Sequence, residues 1–163
     1  MLVLNEVASN NRSLYSNSYG ERPDYIEIYN PTSEDVELSR VMLRDGSGAI
    51  WIGEEGIISA GGYQIVEASG GVHTGDATFM LDSEGDTLEL MVDGMETDRL
   101  STGNLPKDVL WARFPDGGDW LPTIYPSPAA TNGEDPGDSL EPSDRLFQLD
   151  HLVQIEISLS QQS

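Results

Sequence analysis

Residues 24–29 read Asp24-Tyr25-Ile26-Glu27-Ile28-Tyr29, and Asn30-Pro31 follows. Alternation puts Ile26 and Ile28 on one face of a strand and Tyr25, Glu27 and Tyr29 on the other. Proline has no N–H for a ladder and holds the residue before it extended, so the strand stops at Asn30-Pro31. The pattern predicts a half-buried strand of an antiparallel sheet that faces the core on one side only, with Tyr25, Glu27 and Tyr29 toward water. Short runs of the same kind recur along the chain. They predict strands at 2–8, 36–38, 41–44, 50–52, 63–67, 78–81, 87–92, 95–100, 109–114 and 120–124. Glycines at 46, 48, 53, 56, 61–62 and 70–71 punctuate them. Asp93-Gly94, between Leu88–Val92 and Met95–Leu100, suits a two-residue type I′ hairpin loop. No helical period of useful length appears. Many short strands with Gly-rich turns predict an all-β sandwich or barrel.

The expected inward set is Val3 or Leu4, Val7, Ile26, Ile28, Val36, Leu38, Leu43, Trp51, Ile65, Phe79, Leu81, Leu88, Leu90, Leu100, Leu110 and Phe114. Trp111 and Trp120 are expected at a sandwich end, where an indole N–H finds a partner. With no cysteine, packing alone must hold the sheets together. Beyond Asn132 the composition changes. Residues 133–145 hold two prolines, two glycines and a run of acids, which reads as a linker. Alternation then resumes with Val153, Ile155, Ile157 and Leu159, one strand with no neighbour in this chain. The domain plan is therefore a sandwich over 1–132, an acidic linker over 133–145 and an orphan strand within 146–163. An isolated strand leaves its ladder groups unpaired, so 146–159 is also expected to support weak self-association.

Several segments in order carry a family resemblance. Asn5-Glu6-Val7, the run Asp24 to Pro31 and Val36-Glu37-Leu38-Ser39 resemble the opening of a lamin tail domain of the bacterial type. Ala60-Gly61-Gly62-Tyr63-Gln64-Ile65-Val66, Phe79-Met80-Leu81 with Gly85-Asp86-Thr87-Leu88-Glu89-Leu90, Arg113-Phe114-Pro115-Asp116-Gly117 and Ser127-Pro128-Ala129-Ala130-Thr131-Asn132-Gly133 agree further along. The resemblance implies an immunoglobulin-like β-sandwich without a catalytic site and does not name a ligand. The segment 146–160 resembles the first strand of the spore-coat-H-like protein kinase family, whose domains follow lamin tail domains in bacterial surface proteins. None of that family's nucleotide-binding or catalytic residues falls in this stretch.

Charge narrows the partners. The chain carries 29 acidic side chains against 8 Lys and Arg, a net charge of −21, and Lys107 is its sole lysine. Such a surface repels phosphate backbones, so nucleic acid is not an expected partner. The charge reads either as a solubility device or as a surface that collects cations. No apolar run approaches the ~20 residues of a membrane span. Met1-Leu2-Val3-Leu4 lacks the basic and apolar regions of a signal peptide, so an export signal is expected upstream.

Calcium is the best chemical candidate. Asp82, Glu84 and Asp86 are spaced by two, and carboxylate oxygens suit that ion. The spacing is not that of an EF-hand loop, and a solvated acidic turn competes with it, as it does at Asp116-Gly117-Gly118-Asp119. Gly46-Ser47-Gly48 and Gly70-Gly71 lack the endings of phosphate loops and read as turns. His73 and His151 accompany no serine elbow, and His73 reads as a loop residue. The expectation is a non-catalytic binding or spacer module of a larger secreted or cell-surface bacterial protein, meeting a protein or surface polymer. The alternatives are an accessory domain that positions a C-terminal kinase-like domain, or a calcium-dependent adhesion module.

Overall fold

The structure, a computed structural model, describes residues 1–134. The linker beyond 134 and the strand expected within 146–163 lie outside the described residues. Eleven strands are formed: β1 (Val3–Ala8), β2 (Asp24–Tyr29), β3 (Val36–Glu37), β4 (Val41–Arg44), β5 (Ile50–Ile52), β6 (Ile57–Ile58), β7 (Tyr63–Ala68), β8 (Thr87–Val92), β9 (Met95–Ser101), β10 (Leu110–Phe114) and β11 (Asp119–Thr123). One sheet runs β11-β10-β1-β2-β7 and the facing sheet β5-β4-β8-β9, with β3-β6 as a small ribbon. All pairings are antiparallel. The all-β sandwich read from the sequence is the fold observed.

Two local expectations fail and one strand is unannounced by the sequence. Residues 78–81 form no strand, although Phe79 and Leu81 are buried. Leu38 leaves β3 for a 3-10 turn, Leu38–Arg40. That turn lies so close to the next loop that a Cβ at Gly53 would sit 2.2 Å from the Leu38 carbonyl oxygen. The two-residue strand β6 is too short to leave an alternation signal. The predicted hairpin is present: Asp93 (φ 52°) and Gly94 (φ 76°) join Val92 to its ladder partner Met95.

The main core lies between the sheets. Leu4, Val7, Ile26, Ile28 and Val66 face Val41, Leu43, Trp51, Leu88, Leu90 and Leu100 across it. A bulge between Leu4 and Glu6 resolves the choice of inward residue in β1. Asn5 is the extra residue, so Leu4 and Val7 both point inward although three positions separate them. Near the bulge, side chains serve Leu4's backbone. Asp98 accepts from its N–H at 2.9 Å and Arg113 Nε donates to its carbonyl at 2.8 Å. Arg113 also holds Asp98 at 2.8 Å and lies 4.5 Å over the Trp120 ring, pinning β10 to β9. Trp111 Nε1 donates to the Thr102 carbonyl at 2.7 Å.

The outer face of the five-stranded sheet is a correction. The sequence pattern makes it open to water; in the structure Tyr25 and Glu27 are both 0% exposed. A second apolar cluster sits there, built from Ala8, Tyr25, Leu110, Ala112 and Phe114 with Leu14, Tyr15 and Ile65 against it. Ile65, Leu110 and Phe114 therefore pack outside the sandwich, not inside as expected. The loop between β1 and β2 covers half of this face, with Tyr15 4.9 Å from Tyr25. Asn11 organises that loop by accepting from the amides of Leu14 and Tyr15 and donating to the carbonyls of Tyr15 and Pro23. Its amide is thus buried and engaged. The chain after β11 covers the rest of the face.

Candidate functional site

The acids expected at a calcium site occupy the turn before β8. Asp86 Oδ1 accepts from the amides of Gly46 at 2.9 Å and Thr87 at 2.7 Å, and its Oδ2 accepts from Asp82 N at 3.2 Å. Asp82 Oδ1 accepts from Glu84 N at 2.9 Å. Asp82 and Asp86 therefore meet through backbone amides, and Asp86 ties this turn to the β4–β5 turn. Among the described residues no group of three or more His, Cys, Asp or Glu is placed to hold a metal ion. In the other acidic turn Asp116 turns inward, away from Asp119, which is exposed at the start of β11.

Carboxylates do converge elsewhere, under residues 127–132. Glu6 and Glu27 are direct cross-strand partners on β1 and β2, and both are 0% exposed. Such partners have Cβ atoms about 5 Å apart, where like charges repel. Each carboxylate has its own donors. Ser127 N and Oγ donate to Glu6 Oε1, both at 2.8 Å, and the Tyr25 hydroxyl donates to Oε2 at 2.6 Å. Asn5 Nδ2 donates to Glu27 Oε1 at 2.9 Å and Ala129 N to Oε2 at 2.7 Å. Asn5 reaches Glu27 because the bulge turns it aside from the core. The same amide nitrogen donates to Asp116 Oδ1 at 3.0 Å, while Asn5 Oδ1 accepts from Gly117 N at 3.0 Å. Asp116 also receives Asn132 N at 3.0 Å and the Tyr63 hydroxyl at 2.6 Å. Ala129 lies in the left-handed region (φ 59°), which costs of order 1 kcal/mol and aims its N–H at Glu27.

Burial decides the protonation of this cluster. It pushes Glu27 up to about 8, with the neighbouring Glu6 and Asp116 charges adding to it and the Asn5 and Ala129 donors opposing it. Burial also raises Glu6, against the donors from Tyr25 and Ser127. Asp116 differs. Burial pushes it up, but the donors from Asn132, Tyr63 and Asn5 outweigh burial and hold it below the usual range. Two buried glutamates side by side cannot both ionise cheaply, so the pair keeps a proton at neutral pH while Asp116 stays charged. Reasoning from the sequence missed the cluster. Its signals were the break of alternation at Asn5-Glu6 and a glutamate between Ile26 and Ile28.

This arrangement is a closure. Ser127, Ala129 and Asn132 together seal polar groups contributed by β1, β2 and the β10–β11 turn, and its chemistry is spent on the fold. Residues 1–104 match the family model described as the Lamin Tail Domain. No curated protein and no solved structure matches the chain. The fold runs past the matched segment, since β10 pairs with both β1 and β11 and the closing residues extend to Asn132. An immunoglobulin-like sandwich of two antiparallel sheets, matched over residues 1–104, makes this chain a member of the lamin tail domain family, a family of non-catalytic modules.

Proposed function

We propose that the chain is a binding or spacer module of a larger secreted or cell-surface bacterial protein, and that its partner is a protein or a surface polymer. One observation carries the reading. Where carboxylates converge in the described residues, the chain's own donors saturate them and the chain's own residues 127–132 cover them. Groups spent this way stabilise a rigid body and leave recognition to the surface. That surface is strongly anionic. It disfavours nucleic acid, for want of cations to neutralise phosphates. In the described residues no helix is long and apolar enough to cross a membrane.

Domain exchange in the parent protein tests the proposal. Residues 1–133 are deleted in one strain and replaced by an unrelated immunoglobulin-like domain of similar size in another. A binding module loses its surface partner in both strains, whereas a spacer fails on deletion and is rescued by replacement. Unchanged behaviour in both strains would sink the proposal. A loss confined to the activity of an adjoining kinase-like domain would favour the accessory reading instead.

A further inference from the structure

A cavity of about 460 Å³ opens at the sandwich end where β1 stops and β2 starts. Its walls come from residues 9–12, 21–24, 68–69, 72, 80–81 and 83. The size is that of a small-molecule site. Ser9 on its wall is 1% exposed, and its hydroxyl is the one buried side-chain polar atom among the described residues with no hydrogen-bond partner. A buried hydroxyl without a partner costs about 1–3 kcal/mol, which a ligand atom recovers once a small shift of this wall uncovers the oxygen.

The charges on the same walls are a second, independent observation. Arg40, Arg44, Arg99 and Arg113 each pair with a carboxylate. Arg12 and Arg22 pair with none among the described residues, in a chain with 29 acids, and both line this cavity. Arg22 Nη1 donates to the Arg12 carbonyl at 2.6 Å, which keeps the two together. Asp24 lines the cavity too, with one carboxylate oxygen taken by the Asn11 amide at 2.9 Å. Val72 and Met80, 60% and 69% exposed, give an apolar lip. Glu21 on the wall is held by His73 Nε2 at 2.6 Å, and the His73 ring stacks on Tyr19 at 4.0 Å. The larger cavity of about 800 Å³ beside Asp45, Asp82 and Asp86 has no such unspent group, because backbone amides engage all three carboxylates.

We propose that the cavity at Ser9 binds a small zwitterion of the amino-acid type with an apolar side chain. Its carboxylate lies on Arg12 and Arg22, whose planar forks suit it. Its ammonium lies on Asp24, its side chain on Val72 and Met80, and one of its polar atoms reaches Ser9 Oγ. A ligand of zero net charge approaches a chain of net charge −21 without long-range repulsion, which a phosphate dianion would not. The assignment gives the binding form of the proposed function a ligand class and rests on that reading for its use. A failed titration removes the ligand and leaves the domain-exchange result to stand or fall separately.

Amide chemical-shift titration with L-leucine, taken to about 20 mM, is the test. Saturable shifts are expected at Ser9, Arg12, Arg22 and Val72. 4-Methylpentanoate lacks the ammonium and leucinamide lacks the carboxylate; each should bind about tenfold more weakly or worse. Arg12→Gln with Arg22→Gln should lose a similar factor and keep the native spectrum, since neither residue pairs with a carboxylate. Ser9→Ala should weaken leucine several-fold while its melting temperature holds or rises, because it removes a hydroxyl that has no partner. The absence of saturable shifts overturns the proposal. So does 4-methylpentanoate binding as well as leucine, sulfate binding more tightly, or full affinity in the double variant.

Discussion

The buried glutamate pair makes stability fall as pH rises, the reverse of the usual behaviour of carboxylates in folded proteins. Unfolded, Glu27 titrates near its ordinary value of 4.5; folded, burial holds it up at about 8. Between those values the folded chain binds a proton that the unfolded chain releases. Stability is therefore full below the unfolded value and is lost as pH climbs toward the folded one. One proton corresponds to about 1.4 kcal/mol per pH unit, so the loss from pH 5 to pH 8 has a ceiling of about 4 kcal/mol. Relaxation and water entry bring the expected loss to roughly 2–3 kcal/mol. Urea melts at each pH unit from 5 to 9, at constant ionic strength, measure it. Glu27→Gln carries no titrating group and should make the slope shallower, leaving the share of Glu6, which burial also raises, while costing stability at pH 5 because one of its two donors then meets an amide N–H₂. His73, raised by its contact with Glu21, also loses stability as pH rises through the upper part of this window, so His73→Asn serves as the control that removes its share. Asp116 is depressed, and its share is lost only as pH falls below the ordinary carboxylate range, outside the window. A flat or rising stability from pH 5 to 8, or a slope as steep in Glu27→Gln as in the unsubstituted chain, would refute the shared-proton account.

Other outcomes follow from the same contacts. Chain ending at Gly133 should melt like the full chain, whereas chain ending at Pro126 loses the donors to Glu6, Glu27 and Asp116 and should fall by several kcal/mol in urea melts. Ile28→Ala, fully buried in the main core, should cost ~2–4 kcal/mol; a loss under ~1 kcal/mol would place Ile28 outside it. Sodium and calcium at matched ionic strength should raise the melting temperature alike if screening of the net charge dominates. A calcium-specific rise that Asp86→Asn removes would instead restore the site expected at Asp82, Glu84 and Asp86.

Alternation in the sequence shows which side chains share a face, not whether that face is open. Ile26 and Ile28 were legible as core because a water-facing Ile-x-Ile is costly and common strand chemistry explains them. Tyr25 and Glu27 were equally legible as partners on the opposite face, but Tyr25 is covered by the loop at Leu14 and Tyr15, and Glu27 by Ala129, about a hundred positions away. No local pattern announces that. The metal expectation arose from spacing alone, and spacing does not reveal that Asp86 is taken up by amides of two turns. Phe79 and Leu81 look like a strand because burial of alternate residues needs no ladder. Ser9 gives no sequence signal at all, since an unpartnered hydroxyl is visible only once its neighbours are placed.

The place of β10 between β1 and β11 has a consequence for how the chain is made. Glu6 meets Ser127 across a separation of 121 residues. At roughly 5–20 residues per second, synthesis leaves β1 without its β10 neighbour for on the order of ten seconds. During that interval β1 is an open edge that could recruit another nascent chain. Glu6 and Glu27 then face water, ionised, and a charged edge resists such pairing. The acids that later need a shared proton and six residues of cover thus first act as guards of an unfinished sheet, and their change of role marks the moment the domain closes.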